Sequence, residues 1–377
     1  MNFIPVNEPL LNGNEKKYLM ECIDSGWISS EGPFVAEFEE RFAAMHKRKH
    51  AIAVSNGTAA LQISLNLLDL KAGDEVIVPT FTIISCVSAI LYSGAKPVLV
   101  DCDPNTFNAS PQTILNAITD KTKAILLVHT YGLPVDMKEV IEVCNSKNVY
   151  LIEDCAEVIG LKYYDQLCGG FGDISVFSFY SNKHITTGEG GMILTDQDWI
   201  KERSMSYRNL CFQKEKRFVH ERIGWNYRMT NLQAAVGLAQ LERLDEFTAI
   251  KRSIGTRYHN ALKDCRGLQL PIPETNFAKN IYWVFSLVIK QESGLNVNKL
   301  NELLHAKNIG TRPFFYPMHK QPIFQSMGLF ENESYPNSEK ISSKGIYIPS
   351  GMALKDHDLE YVIQTIFDIM NYEVKLD

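Results

Sequence analysis

The chain has 377 residues, 45% of them hydrophobic and 22% charged, with a formal net charge of −6. That balance suits a globular enzyme large enough for one big core and a second, smaller domain. It excludes a general nucleic-acid binder, which needs a basic footprint, while leaving room for a local basic pocket. The opening Met1-Asn2-Phe3-Ile4-Pro5-Val6 lacks the charged-then-apolar pattern of a signal peptide, and the apolar runs break well short of a membrane span. Eight cysteines, at 22, 86, 102, 144, 155, 168, 211 and 265, form no CxxC pair. They read as buried thiols of a reducing cytosol rather than as a disulfide frame or zinc site, so a cytoplasmic chain without a metal is expected.

From about residue 50 to 195, short apolar strands alternate with amphipathic helical stretches. An apolar segment at 51–54 is followed by strand candidates at 75–78, 97–101, 124–129, 150–153, 174–179 and 191–195. Helical patterns lie between them at 59–68, 84–92, 111–117 and 137–146. Such alternation predicts a mainly parallel sheet with helices on both faces, whose ligands bind outside the carboxyl ends of the strands. A single helix is expected over 232–251, linking a large domain of residues 1–250 to a small one of 251–377. In the latter, 282–289 reads as a strand, 299–307 and the last twenty-odd residues as helices, and Pro271-Ile272-Pro273 marks a candidate seam.

Three places carry chemistry. Ser55-Asn56-Gly57-Thr58-Ala59-Ala60-Leu61 opens a helix; glycine lets backbone approach an anion, and a helix start offers free N–H groups and a favourable dipole. The same residues read equally as an ordinary N-cap. Ile152-Glu153-Asp154-Cys155-Ala156-Glu157 sets acids just past a strand. A carboxylate there could keep a pyridine nitrogen protonated, or could merely decorate a helix N-terminus. The third is the run Phe177-Ser178-Phe179-Tyr180-Ser181-Asn182-Lys183-His184-Ile185-Thr186-Thr187-Gly188-Glu189-Gly190-Gly191. A lysine at a strand end beside a glycine turn could form an imine with a carbonyl cofactor, or be a solvated loop lysine. Ser178 could meet a phosphate or be a plain strand serine. An anion cradle, a ring-nitrogen partner and an imine-forming amine are the parts needed to hold pyridoxal phosphate.

The run 177–191, with Asp24-Ser25-Gly26-Trp27-Ile28-Ser29-Ser30-Glu31-Gly32-Pro33, Gly73-Asp74-Glu75-Val76-Ile77-Val78-Pro79, Val128-His129-Thr130-Tyr131-Gly132, Gly224-Trp225-Asn226-Tyr227-Arg228-Met229-Thr230-Asn231 and Thr311-Arg312-Pro313-Phe314-Phe315-Tyr316-Pro317-Met318-His319, resembles the DegT/DnrJ/EryC1/StrS family. These are pyridoxal-phosphate-dependent nucleotide-sugar aminotransferases, and the likeness covers nearly the whole chain. It implies the fold type I architecture: a three-layer α/β domain with a mainly parallel sheet and a smaller C-terminal α+β domain. Lys183 then matches the lysine that bonds the cofactor and later moves the proton, and Asp154 the partner of the pyridine nitrogen. Glu157 falls near the ring hydroxyl; Gly57, Thr58 and Ser178 match phosphate contacts. Asn226 matches an asparagine reaching the phosphate from a second subunit, which implies a homodimer with shared active sites. In one relative, a sugar 3-dehydratase, a histidine replaces the lysine and the enzyme removes a hydroxyl instead; here the spacing to Gly188-Glu189-Gly190-Gly191 puts Lys183 in the lysine place and His184 beside it.

The substrates implied are L-glutamate as donor and a nucleotide-linked 4-keto-6-deoxy sugar aminated at C4. GDP-4-keto-6-deoxy-D-mannose stands ahead of UDP- and dTDP-linked counterparts. Arg312, Tyr316 and His319 could meet the nucleotide sugar or pack a strand end, and Arg228 could clamp a phosphate or bridge an interface. Where relatives stack an aromatic residue on the cofactor ring, Pro79-Thr80-Phe81-Thr82 is followed here by Ile83, so an aliphatic contact replaces stacking or Phe81 reaches in. From a different class comes a non-catalytic sensor of sugar nucleotides, against which the lack of a recognisable helix-turn-helix extension weighs.

Overall fold

The protein is described here from a computed structural model covering residues 2–213 and 215–373. Seven strands build its main sheet: β1 (His50–Val54), β2 (Glu75–Pro79), β3 (Lys96–Val100), β4 (Thr122–Val128), β5 (Tyr150–Asp154), β6 (Ile174–Ser178) and β7 (Gly191–Thr195). Their order is β1-β7-β6-β5-β4-β2-β3, with β7 antiparallel to both neighbours and the remaining pairs parallel. The mainly parallel sheet read from the sequence is present, and its strands start or end within two residues of the expected places. Alternate residues of β2 and β4 enter two separate cores: Ile77, Ile125 and Leu127 on one face, Val76, Val78 and Leu126 on the other. Burial on both faces is why these strands read as continuous apolar runs.

Helices Gly57–Asn66, Ile84–Tyr92, Pro111–Asn116 and Lys138–Lys147 cover the faces. Local chemistry fixes their starts. The Asn56 side chain accepts from the Ala59 N–H (2.8 Å), and Ser110 accepts from the Thr113 N–H (3.2 Å) ahead of a proline in the first turn. All eight cysteines are free and buried.

The expected helix over 232–251 is instead two, Asn231–Leu241 and Leu244–Leu262, broken at Glu242 and Arg243. The second crosses residue 250 without interruption. Its Leu244 and Phe247 pack in the large core, whereas Ile254, Tyr258 and Leu262 pack in the small one. The seam therefore lies within this helix rather than at Pro271-Ile272-Pro273. Nor do the first residues belong with the large unit: Ile4 bridges Ile309 and sits in the small core with Leu287, Leu304 and Val362.

The small unit carries a four-stranded antiparallel sheet of β8 (Leu268–Gln269), β9 (Phe285–Ile289), β10 (Arg312–Pro313) and β11 (Gly345–Ile348), in the order β8-β9-β11-β10. Helices Val297–Ala306 and Asp356–Glu373 pack on it. It docks across the carboxyl ends of β2 and β3. Asp101 caps the helix Pro336–Lys344, accepting from the Asn337 and Ser338 N–H groups at 3.0 and 2.9 Å. Thr80 Oγ1 meets His319 Nδ1 at 2.8 Å. With β2 and β3 covered, the carboxyl ends of β4, β5 and β6 stay open.

Candidate active site

At those open ends lies a cavity of about 610 Å³, a size that suits a bound cofactor. Asn56, Gly57 and Thr58 line it from the start of helix Gly57–Asn66, Asp154 from the end of β5, and Ser178 from the end of β6. Lys183 enters from the turn that follows. That turn is held by the Thr187 N–H and Thr186 hydroxyl on the Phe179 carbonyl (3.0 and 2.9 Å), and Gly188 supplies a left-handed φ of 80°. The Lys183 N–H bonds the Tyr180 carbonyl at 2.9 Å.

The Lys183 amine lies 3.8 Å from Glu157 Oε1 and 3.9 Å from the centroid of the Trp283 ring. Burial pushes its pKa down, opposed by the charges of Glu157 and Asp154. Burial pushes Glu157 up to about 7 against the pull of Lys183; its Oε2 accepts the Tyr131 N–H at 2.8 Å. Asp154 is likewise raised by burial, although it accepts from the Ala156 N–H (3.0 Å) and the Cys86 thiol (3.5 Å). All three groups are thus pressed toward neutrality. A desolvated amine of this kind can act as nucleophile and as base.

Strand alternation separates the two neighbouring acids. Asp154 faces the cavity, while Glu153 turns to the opposite side and accepts from the N–H groups of Gly169, Phe171 and Gly172 at 2.9, 2.8 and 2.5 Å. Burial alone would raise Glu153, but the bond and charge of His129 and these N–H groups bring it to about 2. Glu153 stands with His129 and Cys155 in the one metal-like trio among the described residues. Its oxygens are already taken by donors, so the trio is a structural knot.

The anion cradle is tight. A Cβ on Gly57 would lie 2.8 Å from Ser178 Cβ, and one on Gly191 would lie 2.6 Å from the Asn56 carbonyl group. Only glycine lets these segments close, leaving the helix start, Thr58 and Ser178 facing one space. Thr58 Oγ1 also meets Ser85 Oγ at 2.8 Å. A free amine, a buried carboxylate with no ion-pair partner among the described residues, and a helix N-terminus around one cavity fit pyridoxal phosphate.

Lys183, Asp154, Glu157, Gly57, Thr58 and Ser178 are brought together; the remaining sequence candidates are not. Asn226 is exposed and accepts from Arg228 Nε at 2.9 Å, and Arg228 lines a separate hollow with Arg208 and Met229. Arg312 and Tyr316 are exposed; Arg312 lines a side hollow of about 240 Å³ that shares Tyr180, Asn182 and Tyr347 with the main cavity. His319 is enclosed, 1% exposed, with Nδ1 on Thr80 and Nε2 on Glu339 at 2.9 Å, so both ring nitrogens are spent holding the small unit. This corrects the reading of His319 as a substrate contact. Phe81 is closed away among Phe107, Tyr131, Phe314 and Phe315, and the cavity wall is formed by Ile83, 45% exposed. Sequence reasoning missed Trp283, Ser85 and Cys86, whose contacts cross 27 to 101 positions of chain.

A strand-end lysine and a strand-end acid, set beside a glycine-opened helix start on such a sheet, define the class of α/β enzymes that carry a carbonyl cofactor on a lysine. The chain belongs to the DegT/DnrJ/EryC1/StrS aminotransferase family, whose model matches residues 9–367. It is 42% identical to the GDP-perosamine synthase of Escherichia coli O157:H7, over 97% of this chain and 98% of that one. The GDP-perosamine synthase of Vibrio cholerae is 41% identical, over 98% and 99%. Among solved structures, the aminotransferase TlmJ from Streptoalloteichus hindustanus superposes with a TM-score of 0.91 at 28% identity, covering 98% of this chain and 99% of that one.

Proposed function

We propose that this aminotransferase moves the amino group of L-glutamate to C4 of GDP-4-keto-6-deoxy-D-mannose, forming GDP-perosamine for a surface polysaccharide such as an O-antigen. The observation that carries the reading is the desolvated Lys183 amine, 3.8 Å from Glu157 and sharing its cavity with Asp154. Its chain parallels two GDP-perosamine synthases along 97% and 98% of its length.

Pyridoxal phosphate, when bound, supplies the electron sink and carries the amino group between the two substrates. Asp154 would keep the ring nitrogen protonated, and Glu157 would meet the ring hydroxyl. Gly57 and Thr58 offer the helix start to the phosphate, and Ser178 adds its hydroxyl. Ile83, in the cavity wall, would cover one face of the group and exclude water from it. Lys183 would hold the cofactor through its amine, and that amine, when free, would take the donor's α-proton and return a proton. Arg312, at the side hollow, and the exposed Tyr316 would meet the nucleotide sugar.

The active form is a homodimer with shared sites. Asn226 reaches the phosphate held by the other subunit, with Arg228 beside it. Support comes from neither residue lining its own cavity and from the same segment exposing Phe218 (80%) and Ile223 (87%), an apolar surface suited to a second copy. Among the described residues no helix is long and apolar enough to cross a membrane.

The test is incubation with pyridoxal phosphate, glutamate and GDP-4-keto-6-deoxy-D-mannose, with UDP- and dTDP-linked 4-keto sugars in parallel, read by mass spectrometry. A 4-amino product made preferentially from the GDP sugar supports the proposal. Product from another nucleotide keeps the aminotransferase and replaces the substrate. A cofactor band unmoved by glutamate would mean a sensor.

A further inference from the structure

Trp283 stands just before β9, in the small unit, yet lines the main cavity and is 4% exposed. Its ring is fixed from three directions. Nε1–H donates to the Asn182 carbonyl at 2.9 Å, next in chain to Lys183. Tyr131 packs against it at 5.8 Å between centroids, and Tyr347 at 6.3 Å. Its own carbonyl accepts from the buried Lys251 amine at 2.9 Å, which also donates to the Ser350 carbonyl at 2.6 Å. Lys251 meets no carboxylate among the described residues, so this buried amine is spent entirely on main-chain carbonyls and the Ser350 hydroxyl. Rotation of the indole would break the bond to Asn182 and disturb the aromatic contacts.

The consequence falls on Lys183. Its amine sits 3.9 Å from the ring centroid and 3.8 Å from Glu157 Oε1. A cation over an indole face in a desolvated site is attracted by the ring quadrupole. We infer that Trp283 is the positioning residue of Lys183: its face seats the lysine amine whenever that amine is not bonded to cofactor, so that the base keeps its aim. This rests on Lys183 being the cofactor's lysine and on nothing about the sugar. The other titratable groups near the amine are Glu157, Asp154, Cys86 and His184, and Lys251 meets the main-chain carbonyl of Trp283.

The test uses the full chain freed of cofactor, in three forms: wild type, Trp283→Phe and Trp283→Leu. The rate at which Lys183 is arylated by fluorodinitrobenzene is followed against pH by peptide mass spectrometry. Leucine keeps the site apolar but removes the π face that favours the ammonium, so the midpoint should fall by about one pH unit. Phenylalanine retains a face and should stay near wild type. In the loaded enzyme, the leucine variant should lose roughly 10- to 100-fold in kcat with KM for both substrates unchanged, since aim and not binding is lost. An unmoved midpoint in the leucine variant, or equal shifts in both, overturns the inference. If neither variant folds, Lys183→Met tests the contact from the other side, through its effect on indole emission; no change there also overturns it. Failure to make an amino sugar would leave this titration untouched.

Discussion

Glu153 is a buried carboxylate whose charge is held by many donors at once. Its carboxylate is fully buried and gathers three N–H groups, the Ser175 hydroxyl at 3.1 Å and His129 Nε2 at 3.4 Å. Those donors outweigh burial and carry its pKa from an ordinary 4.5 to about 2. At roughly 1.4 kcal/mol per pH unit, the gap stabilises the folded chain by about 3 kcal/mol. The group is depressed on folding, so this contribution is complete above the unfolded value of 4.5 and fades as pH falls from there toward 2. Glu153→Gln keeps the shape, removes the charge and turns an amide N–H toward other donors. Urea unfolding of both proteins should therefore differ by about 3 kcal/mol near pH 7, and the difference should shrink steadily as pH is lowered to about 3. A difference that stays constant over that range would refute the reasoning, because it would show lost packing and not lost charge.

Lys183→Ala should fold as the wild type does, lose the absorbance of the covalently held cofactor, and lose turnover by about 10³-fold or more, measured by product formation. Gly57→Ala forces a Cβ toward Ser178, so it should weaken cofactor affinity and cost about 1–3 kcal/mol of stability, checked by cofactor titration and thermal melting. His319→Gln cuts one or both links between Thr80 and Glu339; stability should drop by about 1–2 kcal/mol while KM for the nucleotide sugar holds, and a large rise in KM would restore His319 as a substrate contact.

The central strands could be read because burial on both faces writes itself as unbroken apolar runs, and the lysine turn because glycine and lysine stand together. The break at Glu242 and Arg243 could not, since neither residue is a helix breaker and both flanking stretches share a helical pattern. The two-residue strand Arg312–Pro313 exists only because β11 pairs with it. His319 looks like a ligand residue in one dimension; its partner Thr80 lies 239 positions away. Asn226 and Arg228 sit in a legible motif, but of that stretch it is Tyr227, between them, that lines the cavity. Motif chemistry is local and survives in sequence, whereas enclosure is made by distant parts of the chain.

The eight buried thiols make the native chain a set of stopped clocks. Burial raises Cys86, Cys155 and Cys168 far above the ordinary thiol range, Cys102 and Cys144 to about 12, and Cys265 in the same direction, so at these sulfurs almost no reactive thiolate exists while the chain stays closed. Alkylation therefore proceeds only through local opening, and its rate at each sulfur reads the free energy of that opening. Cys86 beside Asp154 times the cofactor pocket, Cys102 beside Ser338 times the docking of the capped helix, and Cys265 times the small core. Cofactor binding should slow the first of these far more than the last, so that one labelling series would map how far an occupied site tightens the rest of the molecule.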